Sequence, residues 1–173
     1  MRRLRVLTII SLLGSLAGTG WVYAEQKSRS RAGTLTAQDR AEIQDLYARY
    51  NQGCDFSDMD MFMSIWADDA VFKSSPTSQE IVGRKALEEW RAKANADRIK
   101  ANSPPRRHWN SSLIVTPTPE GAKGRNYWLL MNVSGKQPVI YGSGYHDDTF
   151  VRTANGWRIK TRLDHNDPEP EAR

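Results

Sequence analysis

Apolar residues recur along this chain with two different periods, and the helical one comes first. Ile43, Leu46, Tyr47, Tyr50 and Cys54 fall at i, i+3, i+4, i+7 and i+11, the stripe of an amphipathic helix. Thr36 stands where an N-cap belongs, and Asp39 three residues on completes a pattern much like a capping box. Gly53 predicts the C-terminal stop, which leaves Asp55 just past the helix. Met59, Phe62, Met63 and Trp66 repeat the spacing in a second, shorter helix capped by Ser57. Ala70, Val71 and Phe72 read as a short strand. A third helix is predicted from Gly83 to Asp97, burying Ala86, Leu87, Trp90 and Ala94, and Pro104-Pro105 places a loop after it.

From His108 the period becomes two. Strands are predicted over 108–116, 123–133, 139–152 and 157–163, with turns near Pro119-Glu120-Gly121, Gly135-Lys136 and Asn155-Gly156. Three helices followed by an antiparallel meander is an α+β order, with the helices packed on one face of a curved sheet. No internal repeat is visible.

The N-terminus has its own pattern. Arg2, Arg3 and Arg5 precede an uncharged run from Val6 to Ala24, and Val22-Tyr23-Ala24 offers small residues at −3 and −1 of a cleavage site. The expected organisation is a signal peptide over 1–24, a flexible linker over 25–35, one domain over 36–164 and a loose tail over 165–173. That reading predicts a periplasmic or secreted protein without stable membrane contact after cleavage. An uncleaved N-terminal anchor is the alternative, because the run could just span a bilayer.

Charge adds little once the leader is set aside. The formal charge of +5 includes three arginines and no acid within 1–24, so it falls to +2 for the remainder. No basic stripe with interleaved aromatics suggests nucleic-acid binding. Cys54 is the only cysteine and lies on the apolar stripe, so it reads as a small buried hydrophobe.

Candidate chemistry concentrates at the start of the first long strand. Strict alternation would put His108, Asn110, Ser112 and Ile114 on one face and Trp109, Ser111, Leu113 and Val115 on the other. A face beginning His-Asn-Ser is a poor core stripe and a good cavity lining. Imidazole is the side chain best suited to take a proton near neutral pH, although a His satisfied by a backbone carbonyl at a pocket mouth gives the same pattern. Asp55 reads equally as a turn residue or a cap. Tyr50, Tyr127, Tyr145, Trp66 and Trp128 read either as pocket walls or as core. Asp147 and Arg162 are expected to form an ion pair across the Asn155-Gly156 turn. His146 and His165 lack ligand spacing, and no metal site is expected.

Five motifs in order carry a resemblance. They are Ile43-Gln44-Asp45-Leu46-Tyr47 followed by Asp55; Ile65-Trp66-Ala67-Asp68-Asp69-Ala70-Val71-Phe72; Gly83 and then His108; Gly144-Tyr145-His146-Asp147; and Gly156-Trp157-Arg158-Ile159 with Arg162. Over about residues 36–164 the chain resembles the SnoaL-like branch of the nuclear-transport-factor-2-like superfamily, which implies that superfamily's cone-shaped fold. Within that branch the spacing is most similar to the scytalone dehydratase and hexachlorocyclohexane dehydrochlorinase families. Those families use an Asp after the first helix and a His opening a strand as a catalytic dyad, which maps to Asp55 and His108. The chain departs from them at two points: Tyr50 stands where the dehydrochlorinase has lysine, and Ser112 where related sequences often have asparagine.

The resemblance implies a cofactor-independent lyase or isomerase, dehydratase-like, acting on a small, mostly apolar, cyclic molecule. His108 and Asp55 would be catalytic with Tyr50 assisting. Asn110, Ser112, Trp66, Tyr127, Tyr145 and Arg152 would contact substrate, Arg152 by analogy with an active-site arginine of the dehydrochlorinase. It also implies that pairing through the open sheet face is a possible route to a homo-oligomer. The alternative is a non-catalytic ligand-binding or assembly module that uses the same cavity.

Overall fold

The computed structural model describes residues 33–75 and 77–168. The expected leader, most of the expected linker and the end of the tail lie outside the described residues. Helix α1 spans Ala37–Asp55, α2 Met59–Met63 and α3 Arg84–Lys100. The strands are β1 Trp66–Ser74, β2 Gln79–Val82, β3 Arg106–Thr118, β4 Gly121–Asn132, β5 Val139–Thr153 and β6 Gly156–Asn166. They form one sheet in the order β2-β1-β6-β5-β4-β3, in which only β1 and β6 run parallel. This is the α+β, NTF2-like arrangement expected from the sequence.

The capping box of α1 is present in both directions: Asp39 N donates to Thr36 Oγ1 at 3.1 Å, and Thr36 N donates to Asp39 Oδ2 at 2.9 Å. The predicted stripe is the buried face of α1, with Ile43, Leu46, Tyr47, Tyr50 and Cys54 all in the core. Gly53 does not end the helix. A Cβ there would sit 2.8 Å from the backbone nitrogen of Phe62, so this glycine lets α2 pack closely against α1. The chain leaves α1 through Phe56 and turns at Ser57, whose φ of 57° is left-handed, so Asp58 caps α2 by accepting from Met61 N at 2.9 Å.

Three other boundaries differ from the sequence expectation. The first strand is nine residues long, and it pairs with β2, a four-residue strand the pattern did not reveal. Leu35, placed in the linker, packs against the core, and β6 carries the ordered strand through Asn166 into the expected tail. Helix α3 buries Leu87, Arg91 and Asn95, with Trp90 partly covered, so two polar side chains share the face expected to hold Ala94.

The most consequential difference lies in β3. Ser111 pairs with Tyr127 and Ile114 with Arg125, so Ser112 and Leu113 together face the single residue Asn126. This is a β-bulge, and Ser112 adopts a φ of 56° within it. The extra residue inverts the alternation. His108 and Asn110 face the helices before the bulge; Leu113 and Val115 do so after it, while Ile114 is exposed. A second register shift, opposite Thr149 and Phe150 of β5, sets Lys160 aside in β6.

Candidate active site

Asp55 is the last residue of α1, and its position is fixed from several sides. The carbonyl of Cys54 just before it accepts from the guanidinium of Arg91 at 3.1 Å and from that of Arg106 at 3.3 Å. Arg91 is itself oriented by the Asn95 amide oxygen at 2.7 Å. The last turn of α1 therefore has its free carbonyl end satisfied by two cations, a favourable arrangement for a helix C-terminus. The Asp55 side chain is 3% exposed.

Both carboxylate oxygens of Asp55 meet His108. One accepts the His108 backbone N–H at 2.9 Å, and the other lies 2.5 Å from ring nitrogen Nδ1. The His108 carbonyl accepts from the Asn51 amide at 3.4 Å. One strand residue is thus clamped by two residues of α1. Nδ1 is engaged by the carboxylate, so Nε2 is the ring nitrogen left for proton transfer.

Tyr50, one helical turn before Cys54, lies between two imidazoles. Its ring centre is 6.1 Å from that of His108 and 5.7 Å from that of His146, both near-perpendicular. The Arg162 guanidinium sits 4.2 Å above the same ring. Burial, reinforced by the neighbouring Cys54, pushes the Tyr50 phenol well above its ordinary value despite the opposing cations of Arg162 and Arg91, so the hydroxyl stays protonated.

Behind Tyr50 the inner face of the sheet carries a polar cluster that sequence reasoning did not assemble. His146 is buried, with Nδ1 3.2 Å from the Asn126 amide oxygen and Nε2 3.3 Å from an Asp164 oxygen. Its ring lies near-parallel to the Trp128 indole. Burial and the Arg162 cation lower its pKa, against the opposing pull of Asp164 and Asp148, so the imidazole is biased toward the neutral form. Arg162 is fully buried and makes a two-pronged ion pair with Asp148 at 2.9 and 2.7 Å. The available signal was the period-two run on β5: Gly144, His146, Asp148 and Phe150 share its buried face.

Several expected site residues lie elsewhere. Trp66 and Asn110 face the interior with Tyr50 and His108. Ser112 is turned outward by the bulge. Tyr127 is 57% exposed on the outer face of the sheet, where Tyr145 also lies, stacked on His165 with ring centres 4.2 Å apart. Alternation sends both outward, because Asn126, Trp128, Gly144 and His146 occupy the inner positions. Arg152 pairs with Asp39 in the first turn of α1 and lies against Trp157. Asp39 and Asp55 are 16 residues apart in one helix, about 24 Å along its axis, so Arg152 does not reach the dyad. The expected Asp147–Arg162 pair does not form: Asp147 lies on the outer face with Arg125 at 2.7 Å, and Arg162 takes Asp148. Among the described residues no group of three or more His, Cys, Asp or Glu is placed to hold a metal ion.

Three helices and one six-stranded sheet in this order make an NTF2-like fold, with the carboxylate–imidazole pair on the sheet's inner face. The chain belongs to the family of the SnoaL-like domain, whose model matches residues 35–163. The uncharacterised protein Rv2910c of Mycobacterium tuberculosis is 26% identical over 139 residues, covering 79% of this chain and 90% of that protein. An NTF2-like protein with a cystatin-like fold from Novosphingobium aromaticivorans superposes with a TM-score of 0.67 at 20% identity, covering 91% of this chain and 95% of the other. A protein of Catenulispora acidiphila, solved in complex with S-DNPA, superposes with a TM-score of 0.62 at 21% identity, covering 76% and 95%. At these identities the solved structures establish the fold.

Proposed function

We propose that this protein is an exported lyase or isomerase that needs no cofactor for its proton-transfer step and acts on a small, mostly apolar, cyclic molecule. The observation that carries the reading is the double clamp of Asp55 on His108. A base must be within hydrogen-bond reach of a group that orients it, and the 2.5 Å contact at Nδ1 meets that requirement. His108 Nε2 takes a proton from carbon, and Asp55 holds the ring and stabilises the imidazolium that forms. In the elimination version, the electrons of the broken C–H bond form the new double bond and the bond to a neighbouring hydroxyl breaks. The Tyr50 hydroxyl, which stays protonated, polarises the departing oxygen by hydrogen bonding, and the proton that His108 took from carbon lets it leave as water.

An apolar ring is supported by the dyad's surroundings, where Tyr50 packs edge-on to His108 and against Phe62 and Trp66. A homo-oligomer formed through the outer sheet face is part of the same proposal. Trp109, Tyr127 and Leu129 are neighbours there and exposed.

The test uses 2-tetralone, a bicyclic ketone with an acidic C–H, in D2O, with deuterium incorporation followed by proton NMR. Wild type accelerates exchange over buffer. His108→Gln, which keeps the fold and a polar side chain but loses the base, lowers that acceleration by about 10²–10⁴-fold. Exchange as fast in His108→Gln as in wild type would sink the reading.

A further inference from the structure

The end of the molecule where α1 and α3 finish carries an exposed apolar run that the dyad does not explain. Pro138, Val139, Ile140 and Tyr141 are consecutive and all exposed, although Val139, Ile140 and Tyr141 belong to β5. Successive strand residues point to opposite faces, so exposure of all three means that both faces of this stretch are bare. The register gives the reason. Pairing of β5 with β6 begins only at Gly144, so Val139, Ile140 and Tyr141 overhang that strand with β4 alone beside them. Exposed apolar runs of this length are avoided in water unless something covers them.

Two more apolar side chains lie at the same end: Phe56, where the chain leaves α1, and Ile99, in the last turn of α3, both exposed. Basic residues surround them. Arg107 lies over the Phe56 ring at 4.7 Å. Arg106 and Arg107 are in register with Asn132 and Met131 of β4, which pair in turn with Val139 and Ile140. The Arg98 guanidinium donates to the carbonyl of Pro104, two residues before Arg106, at 2.8 Å. Lys100 ends α3 and Lys136 lies in the β4–β5 connection, both exposed. Residues 98–107 and 132–141 together hold five Lys or Arg and no Asp or Glu. Burial, Arg98 and Arg91 hold the Arg106 guanidinium below its ordinary value, so cations are crowded here in a way that an anionic surface relieves.

We propose that this end of the protein docks reversibly on an anionic lipid surface. The β4–β5 tip sets Val139, Ile140 and Tyr141 at the boundary between headgroups and acyl chains, with Phe56 and Ile99 beside them. Lys100, Lys136, Arg98 and Arg107 meet the phosphates. Burial holds the apolar side chains at that boundary while charge draws the cations to the headgroups, and a membrane surface serves both at once. An acidic soluble protein would serve the cations and leave the apolar run bare. A second copy in a symmetric pair would set the same cations against each other. No helix among the described residues is long and apolar enough to cross a bilayer, and the contact proposed is peripheral. It needs neither the proton-transfer reading nor a substrate.

The test places a polarity-sensitive dye on Gln137→Cys, in the exposed connection. Cys54, the only native cysteine, is buried, so a thiol-reactive dye goes to the added one. Emission is read with vesicles of phosphatidylcholine alone and of an equal mixture of phosphatidylcholine and phosphatidylglycerol. The dye reports only its own surroundings, so lipid held by another part of the chain leaves it unmoved. Emission shifts to the blue on the mixed vesicles and not on phosphatidylcholine, and salt weakens the response. In the same labelled chain, Val139→Ser with Ile140→Ser lowers vesicle affinity by about tenfold or more. Lys100→Gln and Lys136→Gln each lower it by about fivefold. All four side chains are exposed, so the fold survives these changes. A dye on Ile114→Cys, beyond the bulge in β3, does not shift. The proposal is overturned by an unmoved dye on the mixed vesicles, by a shift that survives Val139→Ser with Ile140→Ser, or by an equal shift on Ile114→Cys. A shift that grows with protein concentration without lipid assigns the surface to a second copy and overturns it as well. So does an equal shift with polyglutamate in place of vesicles, which assigns the surface to an acidic protein.

Discussion

The inner face of the sheet changes character at one level, and the two halves are built from the same four strands. On one side lie Ala122 of β4, Phe150 of β5, Ile159 and Trp157 of β6, and Leu113 and Val115 of β3, packed on Ile43 and Tyr47 of α1. On the other lie His108 and Asn110, Asn126 and Trp128, His146, and Asp164, facing Tyr50 and the end of α1. The register shifts in β3 and between β5 and β6 fall at that boundary, and the buried Arg162–Asp148 pair marks it. The lesson is one of division of labour. The apolar half is held by burial alone, while the other half carries polar groups that must find partners of their own, as His108 does in Asp55 and His146 in Asn126.

If this division holds, the most disruptive change falls on the boundary itself. Asp148→Asn leaves the fully buried Arg162 cation without its counter-charge, and breaking a buried pair from one side costs about 3–5 kcal/mol. Chemical denaturation checks this; a loss below about 1 kcal/mol would show that water reaches Arg162. In the apolar half, Ile43→Ala is expected to cost roughly 2–5 kcal/mol by the same measurement, as a cavity in a packed core does. The comparison sharpens if Asn110→Leu, in the polar half, is neutral or stabilising, because it removes two polar atoms buried without a partner among the described residues. Gly53→Ala forces α2 away from α1 and should cost about 1–3 kcal/mol, less than Ile43→Ala; an unchanged denaturation midpoint would mean that α2 yields freely.

The smallest effect is on pH dependence. His146 has an ordinary value near 6.5 when unfolded and a lower one when folded, because burial and Arg162 disfavour its cation. Below pH 6.5 the unfolded chain therefore binds the extra proton first, and the folded state loses ground. Its contribution is complete above that pH and declines as pH falls through the window down to the depressed folded value. Tyr50, Arg162, Asp148 and Asp164 surround the ring and remain in His146→Gln, whose stability profile should be flatter over that window. An identical slope in both proteins would show that His146 titrates normally.

Much of this was legible in the sequence, and the reasons for the rest are physical. All five residues of the α1 stripe are in the core, because a 3.6 period over 12 residues has no competing solution. The His108 and Asn110 face was legible for the same kind of reason. Ser112 was not, since nothing in Ser111-Ser112-Leu113-Ile114 announces a bulge, and one inserted residue reverses every later side chain. Arg162 and Asp148 were illegible because charged strand residues are usually solvated, so their complete burial depends on partners more than ten residues away. Gly53 reads as a helix stop in sequence, and only the approach of Phe62 reveals why it lies within the helix.

The central claim is that Asp55 and His108 act as one unit in the polar half. It is tested most directly by 2-tetralone deuterium exchange in a double-mutant cycle of Asp55→Asn, His108→Gln and the two combined. With the carboxylate bound to both the backbone and the ring of His108, the account predicts that His108→Gln alone costs nearly as much as the pair together, since Asp55 acts through the imidazole. Multiplying defects, with the double variant slower than His108→Gln by the full Asp55→Asn factor, would contradict it.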